Sequence, residues 1–406
     1  MMRVAYVSSD PGVSVLGTKG CSIHVQSVIR EFLRRGFEVD LYARRLGDVQ
    51  SIDLKGIRVF KLERPEKTMD GATREQALKL LDRQTRILLE KNGPYDLVYE
   101  RHSLWSSSAM QYAADHDVRS VLEVNAPLIA EQQQHRGLHD EITARQMTAT
   151  AFKLAGGTVC VSRAVADYVW QSQPNANNVR VIPNGVNVAR FDSALERIQQ
   201  RWKCRAMGEQ IPLQLGFVGT LRPWHGMKEL GEAFRRLLAV MPQAHLLVVG
   251  DGPAKAELVS AVGEDLAQAI TITGKVAHRD VPRLMSTMDI ALAPYPDTDN
   301  FYFSPLKVLE YMAAGLPIVA SRCGDLPTII EERSTGLLVK PGCPDSICAA
   351  VTQLAAQPDF ARNLGRRSAI AAKRSYTWQH VVDATLDLVG IGCDIRRMSR
   401  SVGGLR

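Results

Sequence analysis

The fold of this chain is decided at Leu213-Gln-Leu-Gly-Phe-Val-Gly219, where a fresh series of strand, loop and helix signals begins. The stretch before it, 192–210, is polar and charged, and 181–187 carries turn chemistry. On both sides of this break, continuous Val, Ile and Leu runs alternate with helical patterns, which is typical of parallel sheets covered on both faces. The sequence therefore predicts an α/β protein of two doubly wound, Rossmann-like domains that face a cleft.

The secondary structure is predicted from these alternating patterns. The strand-length apolar runs are 4–8, 39–43, 96–99, 120–124, 158–161, 213–218, 245–249, 269–273, 289–293, 317–320 and 336–339. The main helical patterns are 22–35, 74–91, 128–154, 162–171, 227–240, 344–355 and 377–388.

Four segments follow along the chain. We expect an N-terminal domain at 1–192 and a C-terminal domain at 193–376, because the break near 190–212 is the only place where the strand series restarts. We expect the helix within 377–392 to cross back toward the first domain. The tail at 393–406 is rich in Arg, Ser and Gly, and such a composition predicts disorder.

The composition is that of a globular protein, with 45% hydrophobic and 23% charged residues. No apolar run approaches the length of a membrane span, and the short opening strand is broken too soon to be a signal peptide, so we expect a cytoplasmic location. The seven cysteines are scattered and form no Cys-x-x-Cys pair. This pattern predicts neither a disulfide framework nor a zinc site, and we expect no metal.

The net charge of +7 leaves several partners to consider. The basic residues are mostly dispersed and no nucleic-acid motif accompanies them, so we expect no nucleic-acid partner. The pairs Arg34-Arg35 and Arg44-Arg45 favour a peripheral contact with an anionic membrane, at its inner face. The alternative, a soluble basic surface with no such partner, stays open.

One loop and helix start is predicted to hold an anion. Ser304 is a suitable N-cap, and Pro305 suits the first helical position. Lys307 follows in the first turn, so that free N–H groups, the helix dipole and an ammonium converge. Glu310 lies three residues later on roughly the same face, where a carboxylate can meet sugar hydroxyls. This pairing of a cation with a carboxylate suits a nucleotide sugar.

The alternative interpretation of the same segment is an ordinary capped helix that binds no ligand. Lys307 and Glu310 would then form a surface ion pair. In either case Gly315 is expected to end the helix, because Pro317 prevents its continuation.

Several turns that follow predicted strands are further candidates. Gly17 and Gly20 precede a helix and allow close backbone approach to a ligand. Asn125 follows the strand at 120–124, at a carboxyl end where such folds keep their chemistry. His24, in the first helix, is more typical of a packing residue than of a catalytic one.

The second half repeats this pattern. Arg222 and His225 lie in a loop after the strand at 213–218 and can contact phosphate or sugar. Gly250 lies in a glycine turn after the next strand. Val276 lies in a third turn, whose backbone can pair with a base edge.

The order of these segments resembles the retaining glycosyltransferases of family 4, which have the GT-B fold. The matching segments span nearly the whole chain: 17–20, 181–186, 218–221, 249–253, 273–276, 306–321 and 336–339. The resemblance implies transfer of a hexose from a nucleotide diphosphate sugar of UDP or GDP type to an acceptor hydroxyl, with retention at the anomeric carbon. It implies a nucleotide-sugar co-substrate without a cofactor or metal, since protein cations and helix ends stabilise the leaving diphosphate.

The resemblance also implies roles for individual residues. Glu310 falls on the second glutamate of the family's Glu-x7-Glu motif and is expected to contact the ribose. Phe303, Ser304, Pro305 and Leu306 fall on the loop whose backbone meets the diphosphate and sugar. The remaining expected donor contacts are Gly17, Gly20, Thr220, His225, Gly250, Val276 and Tyr302. The expected catalytic residues are Lys307, Asn125 and Arg222.

The chain departs from the family pattern at four positions. Tyr302 replaces the first motif glutamate, Thr220 an arginine, His225 a lysine and Asn125 a histidine. Two cations that bind phosphate in this family, at positions 220 and 225, are thus absent. Lys307 and Arg222 are expected to supply replacement charge, as is His225 if it is protonated.

Two other functions stay open because of these departures. One is an epimerase that acts on a UDP-sugar with the same fold, although no convincing pair of carboxylates supports acid–base chemistry. The other is a pseudo-enzyme or scaffold that binds a nucleotide sugar without turnover. The acceptor, whether a glycan, a lipid-linked sugar or a small molecule, is expected on the first domain and has no readable motif.

Overall fold

The computed structural model describes residues 1–47, 56–66, 68–298 and 301–392. The predicted tail at 393–406 lies outside these described residues. The described chain divides into two compact units. The first unit holds 1–184, 302–304 and 378–392, and the second holds the remainder. The change at Asn184 and Gly185 falls a few residues before the domain boundary expected at 192–193, which stays a prediction.

The helices and strands are numbered in chain order. The first unit contains β1 (Arg3–Ser8), α1 (Gly20–Arg34), β2 (Glu38–Ala43), β3 (Ile57–Lys61), α2 (Gly71–Asn92), β4 (Leu97–Arg101), α3 (Ser108–Asp115), β5 (Arg119–Val124), α4 (Leu128–His135), α5 (Glu141–Leu154), β6 (Gly157–Cys160), α6 (Arg163–Ser172) and β7 (Val179–Val181). The second unit contains α7 (Asp192–Ala206), β8 (Gln214–Val218), α8 (Met227–Val240), β9 (His245–Val249), α9 (Lys255–Val262), β10 (Ile270–Ile272), α10 (Val281–Met285), β11 (Ile290–Ala293), α11 (Leu306–Ala314), β12 (Ile318–Ser321), α12 (Leu326–Ile329), β13 (Leu337–Val339), α13 (Pro344–Ala356) and α14 (Pro358–Ser375). The last helix, α15 (Trp378–Leu388), belongs to the first unit.

Each unit is built on one parallel sheet, and the predicted fold class is confirmed. The first sheet has the strand order β3-β2-β1-β4-β5-β6-β7, and the second has the order β10-β9-β8-β11-β12-β13. All strand pairs in both sheets are parallel. In each sheet the first strand of the unit lies in the middle and the order reverses beside it, as in the doubly wound Rossmann arrangement.

The interior strands form where the sequence is continuously apolar. β1 and β11 are buried along almost their entire length, which fits strands covered by helices on both faces. Two strands that the sequence did not predict, β3 and β7, occupy the two edges of the first sheet. Their residues are mostly exposed or half-buried, because an edge strand faces water on one side, and the apolar run that marks an interior strand is therefore missing.

The predicted helix at 128–154 is wrong as a single element. It is divided into α4 and α5 at Gly137, whose φ of 75° is left-handed and interrupts a helix. Asp140 then starts α5, since its side chain accepts a hydrogen bond from the Thr143 N–H.

The last helix packs within the first unit. The Trp378 ring lies 4.8 Å from the His24 ring of α1, edge to face, and Asp383 accepts a 2.6 Å hydrogen bond from Arg35. Among the described residues, no helix is both long enough and apolar enough to cross a membrane.

A buried ion cluster supports the second sheet. Asp289, just before β11, is inaccessible to solvent and accepts hydrogen bonds from Arg201 at 2.9 and 3.0 Å, from Arg205 at 2.7 Å and from the Gln214 N–H at 2.7 Å. The carboxylate thereby connects α7 to the start of β8 and β11. A buried charge with this many partners is costly to remove, because the partners then stay desolvated.

We therefore expect Asp289→Asn to destabilise the second unit by about 3–5 kcal/mol, because two guanidinium groups lose their counter-charge. The measurement is the free energy of unfolding from urea denaturation. Asp265→Asn is the matched control, since Asp265 is 66% exposed and meets Arg235 only at 3.5 Å. The control is expected to cost less than about 1 kcal/mol. Equal costs for both variants would contradict a structural role for the buried cluster.

Candidate functional site

The helix that was predicted to hold an anion is α11, and its start differs from the prediction. Ser304 is not its N-cap: the Ser304 Oγ accepts a 3.0 Å hydrogen bond from the Asn184 N–H, and its carbonyl accepts one of 2.9 Å from Asn184 Nδ2. The N-cap is Pro305, which has no side-chain acceptor, and no described side chain caps α11. The expected end of the helix is confirmed, because Gly315 adopts a φ of 70° there.

Lys307 places a desolvated ammonium in the second unit. The residue is half-buried, but its Nζ atom is buried and has no hydrogen-bond partner within the described chain. Nζ lies 4.2 Å from the centre of the Phe217 ring and 5.5 Å from that of Tyr295, so aromatic faces provide its surroundings. Burial lowers the pKa of Lys307 to about 7. The surface pair with Glu310 is therefore wrong for this helix.

The loop after β8 places His225 near Lys307, and two further predicted residues, Thr220 and Arg222, act on His225. His225 Nδ1 lies 2.5 Å from the Thr220 carbonyl, so Nδ1 carries the proton. Burial, followed by the charges of Lys307 and Arg222, lowers the pKa of His225 to about 3. The imidazole is thus neutral near pH 7. The expectation that a protonated His225 replaces a missing cation is not met, because a third positive charge is unfavourable in this buried cluster.

The glycine turn after β9 lies against this loop. Gly250 has a φ of 150°, and a Cβ atom there would lie 1.9 Å from the Gly219 carbonyl oxygen. The Leu221 N–H also donates a 3.1 Å hydrogen bond to the Asp251 carbonyl. Only glycine allows this close approach of two backbone turns. Val276 lies in the turn after β10, and its expected contact with a base stays a prediction.

Glu310 is held by a histidine that the sequence did not single out. Its Oε1 lies 2.8 Å from His278 Nε2, and Arg190 lies 2.8 Å from His278 Nδ1. A guanidinium can only donate, so the His278 Nδ1 accepts from Arg190. The His278 Nε2 then carries the hydrogen and donates it in a hydrogen bond to Glu310. Arg190 also donates to the His278 carbonyl at 2.5 Å. The hydrogen bonds from Arg190 to His278 and from His278 to Glu310 fix the carboxylate on α11. His278 and Glu310 are 32 residues apart in the sequence.

The first unit contains a buried carboxylate with several donors. Glu123 is 1% exposed and accepts hydrogen bonds from Arg101 at 2.6 Å, from His24 at 2.7 Å, from Asn125 at 2.5 Å and from the Tyr99 hydroxyl. Burial raises the pKa of this carboxyl, but His24, Arg101 and the hydrogen bonds outweigh it and hold the pKa well below its usual range. Asn125 is therefore positioned by Glu123.

His24 continues this network and is more than a packing residue. Its Nδ1 lies 2.7 Å from the Asn184 Oδ1, and the Asn184 Nδ2 donates to the Ser304 carbonyl, which fixes the orientation of the amide. Both ring nitrogens of His24 therefore face oxygen atoms of Glu123 and Asn184. Through His24 and Asn184, Glu123 is connected to Ser304. Chain separation hides these partners, since His24 and Asn184 are 160 residues apart.

Tyr302 takes part in a second set of contacts in the first unit. Its hydroxyl donates to Glu131 of α4, its carbonyl accepts a 2.7 Å hydrogen bond from the Ser162 hydroxyl, and its ring packs against the apolar core. Burial, followed by Glu131, raises the pKa of Tyr302. The ring also lies 4.3 Å from that of Phe303. A carboxylate thus stands beside Tyr302, although position 302 itself has none.

The glycine loop before α1 stands apart from these contacts. Gly17 donates to the Ser14 carbonyl at 3.0 Å, and a Cβ atom on Gly17 would lie 2.8 Å from the Ser22 hydroxyl. Gly20 begins α1, whose N-cap Lys19 makes no side-chain cap. The predicted residues therefore form three groups: this loop, the Glu123 network that includes Asn125 and Ser304, and the surroundings of α11 in the second unit.

Two family models match this chain, one in its first half and one in its second half. Residues 18–190 match the family described as Glycosyltransferase Family 4, and 212–357 match Glycosyl transferases group 1. A D-inositol 3-phosphate glycosyltransferase of Corynebacterium jeikeium is 25% identical over 94% of this chain and 95% of its own. Sucrose-phosphate synthase of Thermosynechococcus elongatus has a TM-score of 0.70 at 19% identity, over 100% of both chains. HepE of Anabaena, solved in complex with UDP-glucose, has a TM-score of 0.65 at 16% identity, over 99% of this chain and 100% of its own.

The two family matches together cover most of the chain, and the solved structures share its two sheets. The chain belongs to the glycosyltransferases of family 4, which have the GT-B fold, and it is an enzyme of that class.

The desolvated ammonium predicts a pH-dependent stability. The folded-state pKa of Lys307, about 7, lies below the ordinary value of 10.5, so between these pH values the unfolded chain binds one more proton. The resulting penalty on the folded state is full below about pH 7 and disappears as the pH rises toward about 10.5.

We therefore expect Lys307→Met to raise the free energy of unfolding near neutral pH, on the order of 2 kcal/mol after allowance for partial exposure. The gain is expected to shrink as the pH rises, when measured by urea denaturation across that window. Lys255→Met removes the same charge from an exposed position of the second unit and is expected to change little. A loss of stability in Lys307→Met would mean that the ammonium is favourably solvated or paired.

Proposed function

We propose that this enzyme transfers a hexosyl group from a nucleoside diphosphate sugar, of UDP or GDP type, to an acceptor hydroxyl. The transfer proceeds with retention at the anomeric carbon and without a metal ion. The acceptor is a glycan, a lipid-linked sugar or a small molecule, and the name of the Corynebacterium relative favours the last of these. The reaction takes place in the cytoplasm. The exposed Arg34 and Arg45 support a peripheral contact with the inner face of an anionic membrane, whereas Arg44 is buried and donates to the Ser9 and Glu63 carbonyls, so it does not take part.

The observation that carries this proposal is the buried, unpaired ammonium of Lys307. A desolvated cation is unfavourable by itself, but it interacts strongly with an anion, since little water screens the pair. A diphosphate beside it raises the pKa of Lys307 again and recovers the cost of desolvation. The ammonium therefore stabilises most strongly the species with the greatest negative charge, which is the departing diphosphate.

Other groups of the second unit contribute to the same charge stabilisation. Arg222 is half-buried, and its guanidinium is close enough to His225 to lower the pKa of that residue. The first N–H groups of α11 have no side-chain cap and carry the positive end of the helix dipole. The neutral His225 and Thr220 offer hydrogen bonds without further charge. These groups supply the stabilisation for which other transferases use a metal ion.

The rest of the donor is assigned to the turns around α11. Glu310, oriented by His278, accepts hydrogen bonds from the ribose hydroxyls. The glycine turn at Gly250 and the backbone at Val276 meet the diphosphate and the base. The complex of HepE with UDP-glucose favours a uridine donor for this fold. The leaving phosphate accepts the proton of the acceptor hydroxyl, which attacks on the face that the phosphate leaves.

The variant motif changes how the sugar is bound. Tyr302 replaces the family's first glutamate, and its hydroxyl is committed to Glu131. We keep the donor contact at this position with Tyr302, and Glu131 is its positioning residue. Asn125, held by Glu123, contacts the sugar or the acceptor as a neutral hydrogen-bonding group. A panel of UDP, GDP, ADP and dTDP sugars in a thermal-shift screen identifies the donor, because a ligand of the folded state raises the melting temperature.

Lys307→Met is expected to lower turnover with the donor so identified by about ten- to a thousandfold, because the leaving diphosphate loses its nearest ammonium. The measurement is kcat from release of the nucleoside diphosphate, with and without a chelator of divalent metals. Lys255→Met is again the control. Unchanged turnover in Lys307→Met would remove Lys307 from catalysis, and loss of wild-type activity with the chelator would contradict metal independence.

Glu310→Gln is expected to weaken binding of the nucleoside diphosphate by about tenfold, because an amide accepts ribose hydrogen bonds less strongly than a carboxylate. Isothermal titration calorimetry measures this effect without turnover. The matched control is Glu257→Gln at an exposed position of α9. Binding that is equal in all three proteins would separate Glu310 from the ribose.

A further inference from the structure

A second basic site lies in the second unit, away from Lys307. It is a cavity of about 310 Å³ between the start of α7 and the turn that leads into α10. Its polar lining is made of four arginines and two serines: Arg190, Arg197, Arg279, Arg283, Ser193 and Ser286. No carboxylate lines it, and neither Lys307 nor its aromatic surroundings take part.

The arginines of this cavity lack acidic partners. Arg197, Arg279 and Arg283 are exposed, and within the described chain none of the four forms an ion pair. They come from two separate segments: Arg190 and Arg197 from the turn and helix start at 188–197, and Arg279 and Arg283 from the turn and helix at 278–285. Cations that converge from separate segments repel one another unless an anion joins them.

Arg190 is the least exposed of the four and points to the function of the cavity. Burial lowers the pKa of Arg190, and the charge of Glu310 opposes that effect. Arg190 also donates to His278, which in turn donates to Glu310. The guanidinium thus belongs both to the cavity and to the chain of contacts that ends at the proposed ribose carboxylate.

We propose that this cavity binds a small anion that carries two or more phosphate groups. Guanidinium groups match phosphate oxygens through paired N–H···O hydrogen bonds, and the two serine side chains add further polar contacts. The volume is near the lower end of ligand cavities, roughly 300–1,000 Å³, so it suits a diphosphate or a small phosphorylated metabolite better than a whole nucleotide sugar. Four positive charges favour an anion of more than one negative charge.

The cavity contains neither Lys307 nor Glu310 and shares with the proposed donor site only the contact of Arg190 with His278, so the proposal does not rest on the proposed function. A solvated arginine surface is the plainer interpretation. It does not account for the absence of any carboxylate among the residues that line this open cavity. Nor does it account for Arg190, which is half-buried and is hydrogen-bonded to His278 instead of to a carboxylate.

The test measures binding of inorganic pyrophosphate to the full chain by isothermal titration calorimetry at low ionic strength. All proteins carry Lys307→Met, which weakens binding of the probe at the proposed donor site, so that the difference between the variants reports on the cavity. We expect this background to bind pyrophosphate, and the addition of Arg197→Gln and Arg283→Gln to weaken binding at least about tenfold. Both arginines are exposed without recorded partners, so the substitutions are expected to leave the fold intact.

The matched control adds Arg366→Gln and Arg367→Gln instead, which removes the same charge from an exposed part of α14. Equal weakening in both double variants, or no binding to the background, would overturn the proposal. Inorganic phosphate and a sugar bisphosphate, titrated in parallel, distinguish a bare diphosphate from a phosphorylated metabolite as the source of the anion. Binding to vesicles of equimolar phosphatidylcholine and phosphatidylserine, lost on the cavity substitutions and without pyrophosphate binding, would also overturn it and assign the arginines to a membrane surface.

Discussion

Parallel strand pairing is the constraint on which both units of this enzyme depend. Neighbouring parallel strands need crossover helices, and these helices cover both faces of each sheet, so most interior positions of the strands are apolar. Most of the candidate residues therefore lie at or beyond the ends of strands. The turns after β8, β9 and β10 carry Thr220, Gly250 and Val276, and Asn125 follows β5. The composition of the strands thus decides where a site can lie before any catalytic residue is chosen.

Two buried charges of this enzyme, Glu123 and Lys307, have opposite surroundings. Glu123 is buried among an arginine, a histidine, a tyrosine and an asparagine, so its charge is neutralised and its oxygens are satisfied. Lys307 is buried against aromatic rings with no acceptor in the described residues. A network whose hydrogen-bonding groups all have partners stabilises one geometry. A buried cation without a partner is unfavourable until an anion binds beside it. The first arrangement positions groups, and the second is suited to bind an anion.

The sequence predicted those features that depend on local pattern. Continuous apolar runs marked the interior strands, and Gly315 followed by Pro317 marked the end of α11. The edge strands β3 and β7 were missed because their exposed residues break the apolar run. Ser304 was misassigned because cap preferences describe an isolated helix, whereas its hydroxyl is taken by a residue 120 positions away.

The site's electrostatics lay beyond the sequence for a similar reason. The spacing of Lys307 and Glu310 correctly implies that they lie on one face of α11. It does not show that they contact other residues and not each other. Glu310 meets His278, and Lys307 meets the ring of Phe217 from β8. A pKa depends on burial and on charges within several ångströms, and these neighbours are brought together only by the fold. His225 shows this most clearly, since its neutrality follows from burial beside Lys307.

The neutrality of His225 has a consequence for the chemistry of the site. If His225 were charged, it would further lower the pKa of Lys307, and two neighbouring desolvated cations would oppose folding. With His225 neutral, Lys307 has a pKa of about 7, so its protonation near neutral pH responds to small changes in its surroundings. A diphosphate beside Lys307, as proposed above, would favour protonation of the amine, and its departure would release that proton. If His225 stands where the family has a lysine, as the resemblance implies, the replacement removes one charge and also raises the pKa of Lys307 relative to a site with two cations.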